Sequence, residues 1–169
     1  MATETIQKVI MEDMVVTRII DAPVKKVWEA WTKPEIIRCW WGPKDYTSPL
    51  AKVDLRIGGK FLFCMCAPKE QGGLDSYTVG TYSKIIPYKI LEFMQSFADK
   101  EGNVITPAQA GLPADVPAEI RSLVTFKGIH NDQLTELTVV EYAWPVGQMY
   151  VYSMAGWHQT IDKLSKCVK

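Results

Sequence analysis

Several common functional signatures are missing from this 169-residue chain. Charge of one sign is not in surplus: nineteen acidic residues cancel nineteen basic ones. A nucleic-acid footprint needs a basic surplus or stripe, so no nucleic-acid partner is expected. No apolar run approaches the ~20 residues that a membrane-crossing helix requires, which sets a membrane partner aside. The opening Met1-Ala2-Thr3-Glu4-Thr5 lacks the charged and apolar regions of a signal peptide, so the cytoplasm is the expected location. Histidine is scarce: His130 and His158 stand in unrelated segments. The four cysteines, Cys39, Cys64, Cys66 and Cys167, read as reduced, packed thiols in a cytosolic setting. Cys64 and Cys66 share one face of a strand, but the two further ligands of a zinc site are absent, so no metal is expected. There is also no serine elbow and no phosphate-cradling glycine loop. No catalytic residue is assigned, no cofactor is expected, and an enzymatic role is the less favoured reading.

Tryptophan, by contrast, is plentiful. Six are present, and two of them are adjacent in Arg38-Cys39-Trp40-Trp41-Gly42-Pro43. Consecutive helical residues point about 100° apart, so at most one of Trp40 and Trp41 can sit squarely on a buried stripe. The other has to cover a loop, line a cavity or face a partner. Trp28, Trp31 and Trp157 also fall in helical patterns, which suggests an aromatic-walled interior.

The pattern along the chain gives an order of elements. Residues 14–20 are rich in β-branched types and predict a strand. Asp21-Ala22-Pro23 then opens a helix over 24–31, with Val24, Val27, Trp28 and Trp31 on one face. Pro34 starts a second short helix whose apolar side is Ile36, Ile37, Trp40 and Trp41, and Gly42-Pro43 stops it. Strands follow at 48–56, 60–66, 74–86, 90–97, 120–129 and 134–144, joined by turns such as Ile57-Gly58-Gly59. Antiparallel hairpins fit these short connections better than βαβ units do. Residues 104–118 hold three prolines and no clear period, and read as an irregular loop. A long helix over 146–168 closes the chain, with Tyr150, Met154, Trp157, Ile161, Leu164 and Val168 recurring on one face. Gly156 interrupts that helix, which marks a close contact or an opening.

This order is the helix-grip arrangement, and the sequence resembles the START-like (SRPBCC) superfamily. Within it, the chain is similar to the family homologous to the activator of the heat-shock protein 90 ATPase. The residues carrying the resemblance are Ile20-Asp21-Ala22-Pro23, Val27-Trp28-Glu29-Ala30-Trp31-Thr32, Pro34-Glu35, Trp40-Trp41-Gly42-Pro43 and Asp54-Leu55-Arg56-Ile57-Gly58-Gly59-Lys60-Phe61. Gly80-Thr81-Tyr82, Val124-Thr125-Phe126, Thr135-Glu136-Leu137-Thr138 and Gly156-Trp157 follow. The resemblance covers about residues 14–166 and implies an α+β fold, like that of START domains and the birch-pollen allergen. In that fold a curved antiparallel sheet wraps on the long C-terminal helix, and two short helices follow strand 1. Residues 1–169 are taken as one domain. The resemblance also implies a hydrophobic ligand held between sheet and final helix, with a chaperone as a second candidate partner.

Candidate cavity residues follow from both lines of reasoning. Concave sites are mainly apolar and aromatic, which nominates Trp31, Trp40, Trp41 and Trp157. Phe61, Phe63 and Met65 share one strand face, opposite Leu62, Cys64 and Cys66, and either face could meet the cavity; Tyr82 and Phe93 are inner-sheet candidates, and Met154 accompanies Trp157 on the helix. For Trp40 and Trp41, a plug bracing the two short helices competes with ligand contact. Glu141 shares a face with Leu137 and Val139, and either a half-exposed strand face or a cavity carboxylate accounts for it. His158 falls on the solvated flank of the last helix. A catalytic alternative, of cyclase or hydrolase type, would have to combine Glu141 or His158 with Tyr82. The expected function is binding of a small hydrophobic or amphipathic molecule, by a monomer or a homodimer.

Overall fold

The alternation that buries every second residue builds a single antiparallel sheet. The computed structural model describes residues 8–169; residues 1–5, on which the expectation about a signal peptide rests, lie outside the described residues. Seven strands are ordered β1-β7-β6-β5-β4-β3-β2. They are β1 (Met11–Ile20), β2 (Ala51–Val53), β3 (Lys60–Cys66), β4 (Asp75–Ile86), β5 (Ile90–Ala98), β6 (Glu119–Ile129) and β7 (Leu134–Pro145). The short helices α1 (Val24–Thr32) and α2 (Pro34–Trp40) follow β1, and α3 (Gln148–Cys167) ends the chain. This is the helix-grip α+β fold, a curved sheet with a long C-terminal helix.

One strand is much shorter than the pattern-based expectation. The second strand pairs only over Ala51–Val53, because Pro49 has no N–H to give a ladder and the chain leaves the sheet at Asp54. The expected run through Gly80 forms one continuous strand. Gly80 is required there by close approach: a Cβ would lie 2.1 Å from Phe61 Cζ on the neighbouring strand. Arg56 and Asp54 pair with each other at 2.9 Å in the exposed β2–β3 turn.

The main core lies where α1, α2 and the C-terminal half of α3 cover the sheet. Val27, Ile37, Trp40, Val124, Leu137, Ile161 and Leu164 are fully buried there. The aromatic rings form a connected chain, with centroids 4.8 Å apart for Trp31–Trp40 and 4.4 Å for Phe61–Phe63. Such pairs add about 0.5–1.5 kcal/mol each beyond their buried area. A smaller cluster, Met14, Val116, Ile120 and Trp144, sits under the N-terminal half of α3 and the irregular loop. Met154 and Trp157 touch both clusters, so α3 bridges them.

The cysteines correct the expectation of four packed thiols. Cys64 and Cys66 are free, but Cys39 of α2 is bonded to Cys167 at the end of α3. No local pattern could pair residues 128 apart; packing of α2 against α3 brings their Cα atoms to 6.4 Å. Such a bond persists in oxidising surroundings, a condition that any cytoplasmic placement has to meet. Closing so long a loop restricts the unfolded chain, and its loss costs about 2–5 kcal/mol. Cys167→Ser is therefore expected to lower the melting temperature by on the order of 5–15 °C. Thiol titration in denaturant without reductant should find only Cys64 and Cys66 reactive. Four reactive thiols would contradict the bond.

Candidate functional site

Three neighbouring strands break their apolar alternation at the same end of the sheet. On β7 the inward series runs Thr135, Leu137, Val139, Glu141; on β6 it runs Phe126, Val124, Ser122, Ile120; on β5 it runs Leu91, Phe93, Gln95. Register places Ser122 opposite both Glu141 and Phe93, so the three polar groups meet on one inner patch. Gln95 Nε2 donates to Ser122 Oγ at 3.1 Å and to Glu141 Oε2 at 3.0 Å. The indole Nε1–H of Trp157, from α3, donates to Glu141 Oε1.

Glu141 is only 3% exposed. Burial pushes its carboxyl up to about 7, against the opposing pull of the hydrogen bonds from Trp157 and Gln95. Desolvation of the charged form is therefore the dominant effect, and two neutral donors offset it only in part. The carboxyl is poised to gain or lose a proton near neutrality.

A cavity of about 400 Å³ opens above this patch. Its floor is Glu141 and Gln95, with Thr78 and Met65 continuing across the sheet. One wall is α3, through Met149, Ser153, Gly156, Trp157 and Thr160. The opposite wall comes from Leu112 and Val116 of the irregular loop. Trp41, Pro43 and Tyr46 close one end. Exposed Tyr152 and Ala118 also line it, so the cavity reaches solvent between α3 and the loop. Gly156 accounts for part of the space: a Cβ there would meet only Pro43 Cγ, at 3.8 Å.

Two local devices shape these walls. On β7, Tyr142 and Ala143 together oppose Asp13 of β1, a bulge in the ladder. Ala143 has φ 58°, and its N–H donates to Asp13 Oδ1 at 3.1 Å. The extra residue turns Trp144 to the same side as Glu141, although three positions separate them and strict alternation would oppose them. The second device is Lys163 of α3. Its Nζ donates to the carbonyls of Gly42, Pro43 and Tyr46 at 3.0, 3.3 and 2.9 Å, fastening the end wall to the helix.

Of the residues nominated from sequence, Trp41, Met65, Glu141 and Trp157 line the cavity. Trp31, Trp40, Phe61, Phe63, Tyr82 and Phe93 lie in the main core instead, and Met154 packs between the two clusters. The adjacent indoles divide the work. Trp40 is fully buried and its Nε1–H donates to Ala30 O at 2.8 Å, bracing α1 on α2. Trp41 is buried as well, because α2 ends at Trp40 and the backbone turns extended at the next residue, releasing the 100° constraint. Neither Tyr82 nor exposed His158 lines the cavity, so the catalytic combination with Glu141 is not assembled. Gln95, Ser122 and Trp144 escaped the sequence reading. The signal for the first two was a polar residue at an inward position in each of three strands, interpretable only once register is known. Trp144 had no signal, since an alanine at positive φ is invisible in sequence.

The sign of the pH dependence follows from Glu141. Its folded-state value lies above the ordinary 4.5, so the folded protein holds a proton that the unfolded chain has released. This contribution is complete below about pH 4.5 and is lost as pH rises through about 7, amounting to about 3 kcal/mol at most. Denaturant titrations of the wild-type protein should show stability falling across that window, and Glu141→Gln should flatten the fall. A variant with an undiminished slope would assign the effect elsewhere.

Comparison with known proteins agrees with this fold. Solved structures of similar shape include a Nitrosomonas europaea protein, 23% identical over 92% of each chain with TM-score 0.70. An Arthrobacter aurescens protein is 22% identical with TM-score 0.73, covering 97% of this chain and 92% of that one. The AHSA1 protein of Silicibacter pomeroyi is 16% identical with TM-score 0.67, covering 92% and 96%. At these identities the likeness shows the fold alone. No curated protein matches the chain. The family model described as activator of Hsp90 ATPase homolog 1-like protein matches residues 21–169, nearly the whole sequence. The chain therefore belongs to that family, within the START-like superfamily that its residue motifs resemble.

Proposed function

We propose that this protein binds a small hydrophobic or amphipathic molecule in the cavity between α3, the sheet and the 104–118 loop. The observation that carries the reading is the combination of size and lining. A volume of about 400 Å³ falls within the roughly 300–1,000 Å³ of small-molecule sites. Its walls are mainly indole, phenyl, thioether and aliphatic groups, and its one carboxyl is hydrogen-bonded to its one amide side chain, Glu141 with Gln95. Apolar walls supply affinity, with roughly 2.5 kcal/mol gained per 100 Å² of apolar ligand surface buried. The polar patch supplies orientation, because a ligand group that fails to satisfy it leaves a buried carboxyl poorly compensated.

Gly156 offers a test that separates cavity binding from adsorption to the surface. A hydrophobic ligand at a hundredfold excess over its Kd is expected to stabilise the wild-type protein by about 2.7 kcal/mol, on the order of 5–10 °C in Tm. It should also quench tryptophan emission, since Trp41, Trp144 and Trp157 stand in the walls. Gly156→Leu fills the cavity from its helical wall and removes a flexible residue from the helix, worth about 0.8 kcal/mol of propensity. The variant is expected to melt higher than wild type and to lose the ligand response in scanning fluorimetry. An unchanged response would place binding elsewhere.

A further inference from the structure

The cavity has a charge preference that its apolar lining conceals. Among the described residues that line it, Glu141 is the one carboxylate, and no lysine, arginine or histidine is present. The nearest ammonium on the same helix, Lys163, is held by three loop carbonyls and does not line the cavity. An acidic ligand would thus meet a buried carboxyl and no counter-charge. A cation would meet both a carboxyl and the faces of electron-rich rings, the combination that favours ammonium groups over neutral or anionic ones.

The carboxyl also has acceptor capacity to give. Each oxygen receives one hydrogen bond, Oε1 from Trp157 and Oε2 from Gln95. An ionised carboxylate can accept about four. Both present donors are neutral, so they hold the group in place without cancelling its charge. The cavity that it floors is also lined by the aromatic side chains of Trp41, Tyr46, Phe97, Trp144, Tyr152 and Trp157, and the last of these touches the carboxyl directly. Gln95, itself donating to Ser122, holds the carboxyl from the sheet side, so the arrangement is built before any ligand arrives.

Resting on the ligand-binding reading above, we propose that the ligand is an amine: a small hydrophobic molecule whose ammonium group is received by the Glu141 carboxylate inside the aromatic walls. The proton balance is explicit. Near and below neutrality the buried carboxyl holds a proton, which it gives up to solvent as the ammonium enters and pairs with the carboxylate. The groups packed around it are Met14 from β1, Ser122 from β6, Gln95 from β5 and Trp157 from α3, and none of these titrates in that range. The phenols of Tyr46 and Tyr152 are the remaining ionisable groups of the lining. The proton released is therefore that of Glu141.

The test uses three probes with one carbon skeleton: phenylbutylamine, phenylbutanol and phenylbutyric acid. Calorimetry on the wild-type protein at about pH 8 is expected to rank amine over alcohol by about tenfold or more, with the acid weakest. At about pH 6, paired titrations in buffers of different ionisation enthalpy should show the amine releasing up to about one proton and the alcohol none. In Glu141→Gln the amine's preference over the alcohol should shrink to about threefold or less, and the proton release should vanish. Amine and alcohol binding equally, or the acid binding best, would overturn the amine assignment while leaving the cavity reading intact. If none of the three binds, the cavity reading falls and this inference falls with it.

Discussion

The hydrogen bond from the Trp157 indole to the Glu141 carboxyl joins the long helix to the sheet at the floor of the cavity. Everything around it is arranged as though that carboxyl had to be buried. Gln95 of β5 donates to its second oxygen, Ser122 of β6 accepts from the same Gln95 amide, and the bulge at Ala143 brings Trp144 to its side. Burying an acid this way opposes folding at neutral pH, since desolvation outweighs two neutral donors. A packed hydrophobic core would not require the cost.

The fold divides α3 along its length between the main core and the cavity. Its C-terminal half, with Ile161 and Leu164, packs into the main aromatic and aliphatic core and is further fixed by the Cys39–Cys167 bond. Its N-terminal half, from Met149 to Gly156, faces the cavity and the irregular loop. Trp157 stands at the border, with Trp31 stacked on its inner side at 6.1 Å and Trp41 edge-on at 6.0 Å. Among the described residues, Trp157 and Met154 pack against both clusters and so connect the cavity wall to the core.

Much of this was legible in sequence where the physics is local. The period of α3, the proline-opened short helices and the alternating strands each announced themselves, and motif resemblance ordered them into a helix-grip fold. The six-tryptophan excess pointed to an aromatic interior, but not to its division into a core half and a cavity half. That division depends on where α2 ends, one residue before Trp41. The polar patch depends on strand register, and the bulge on one alanine in a left-handed conformation; neither leaves a trace in a single sequence. The disulfide depends on packing between helices far apart in the chain. Glu141 was visible as a polar residue in an apolar run, yet only the strands beside it distinguish a cavity floor from an exposed edge.

The account turns on the protonation of that one side chain, which can be followed directly. Carbon-13 resonances of the glutamate carboxyls, assigned through the loss of one signal in Glu141→Gln, report each group as pH is varied. A midpoint near 7 for Glu141 is the predicted result. A midpoint at the ordinary glutamate value of 4.5 would contradict a carboxyl whose state is governed by burial.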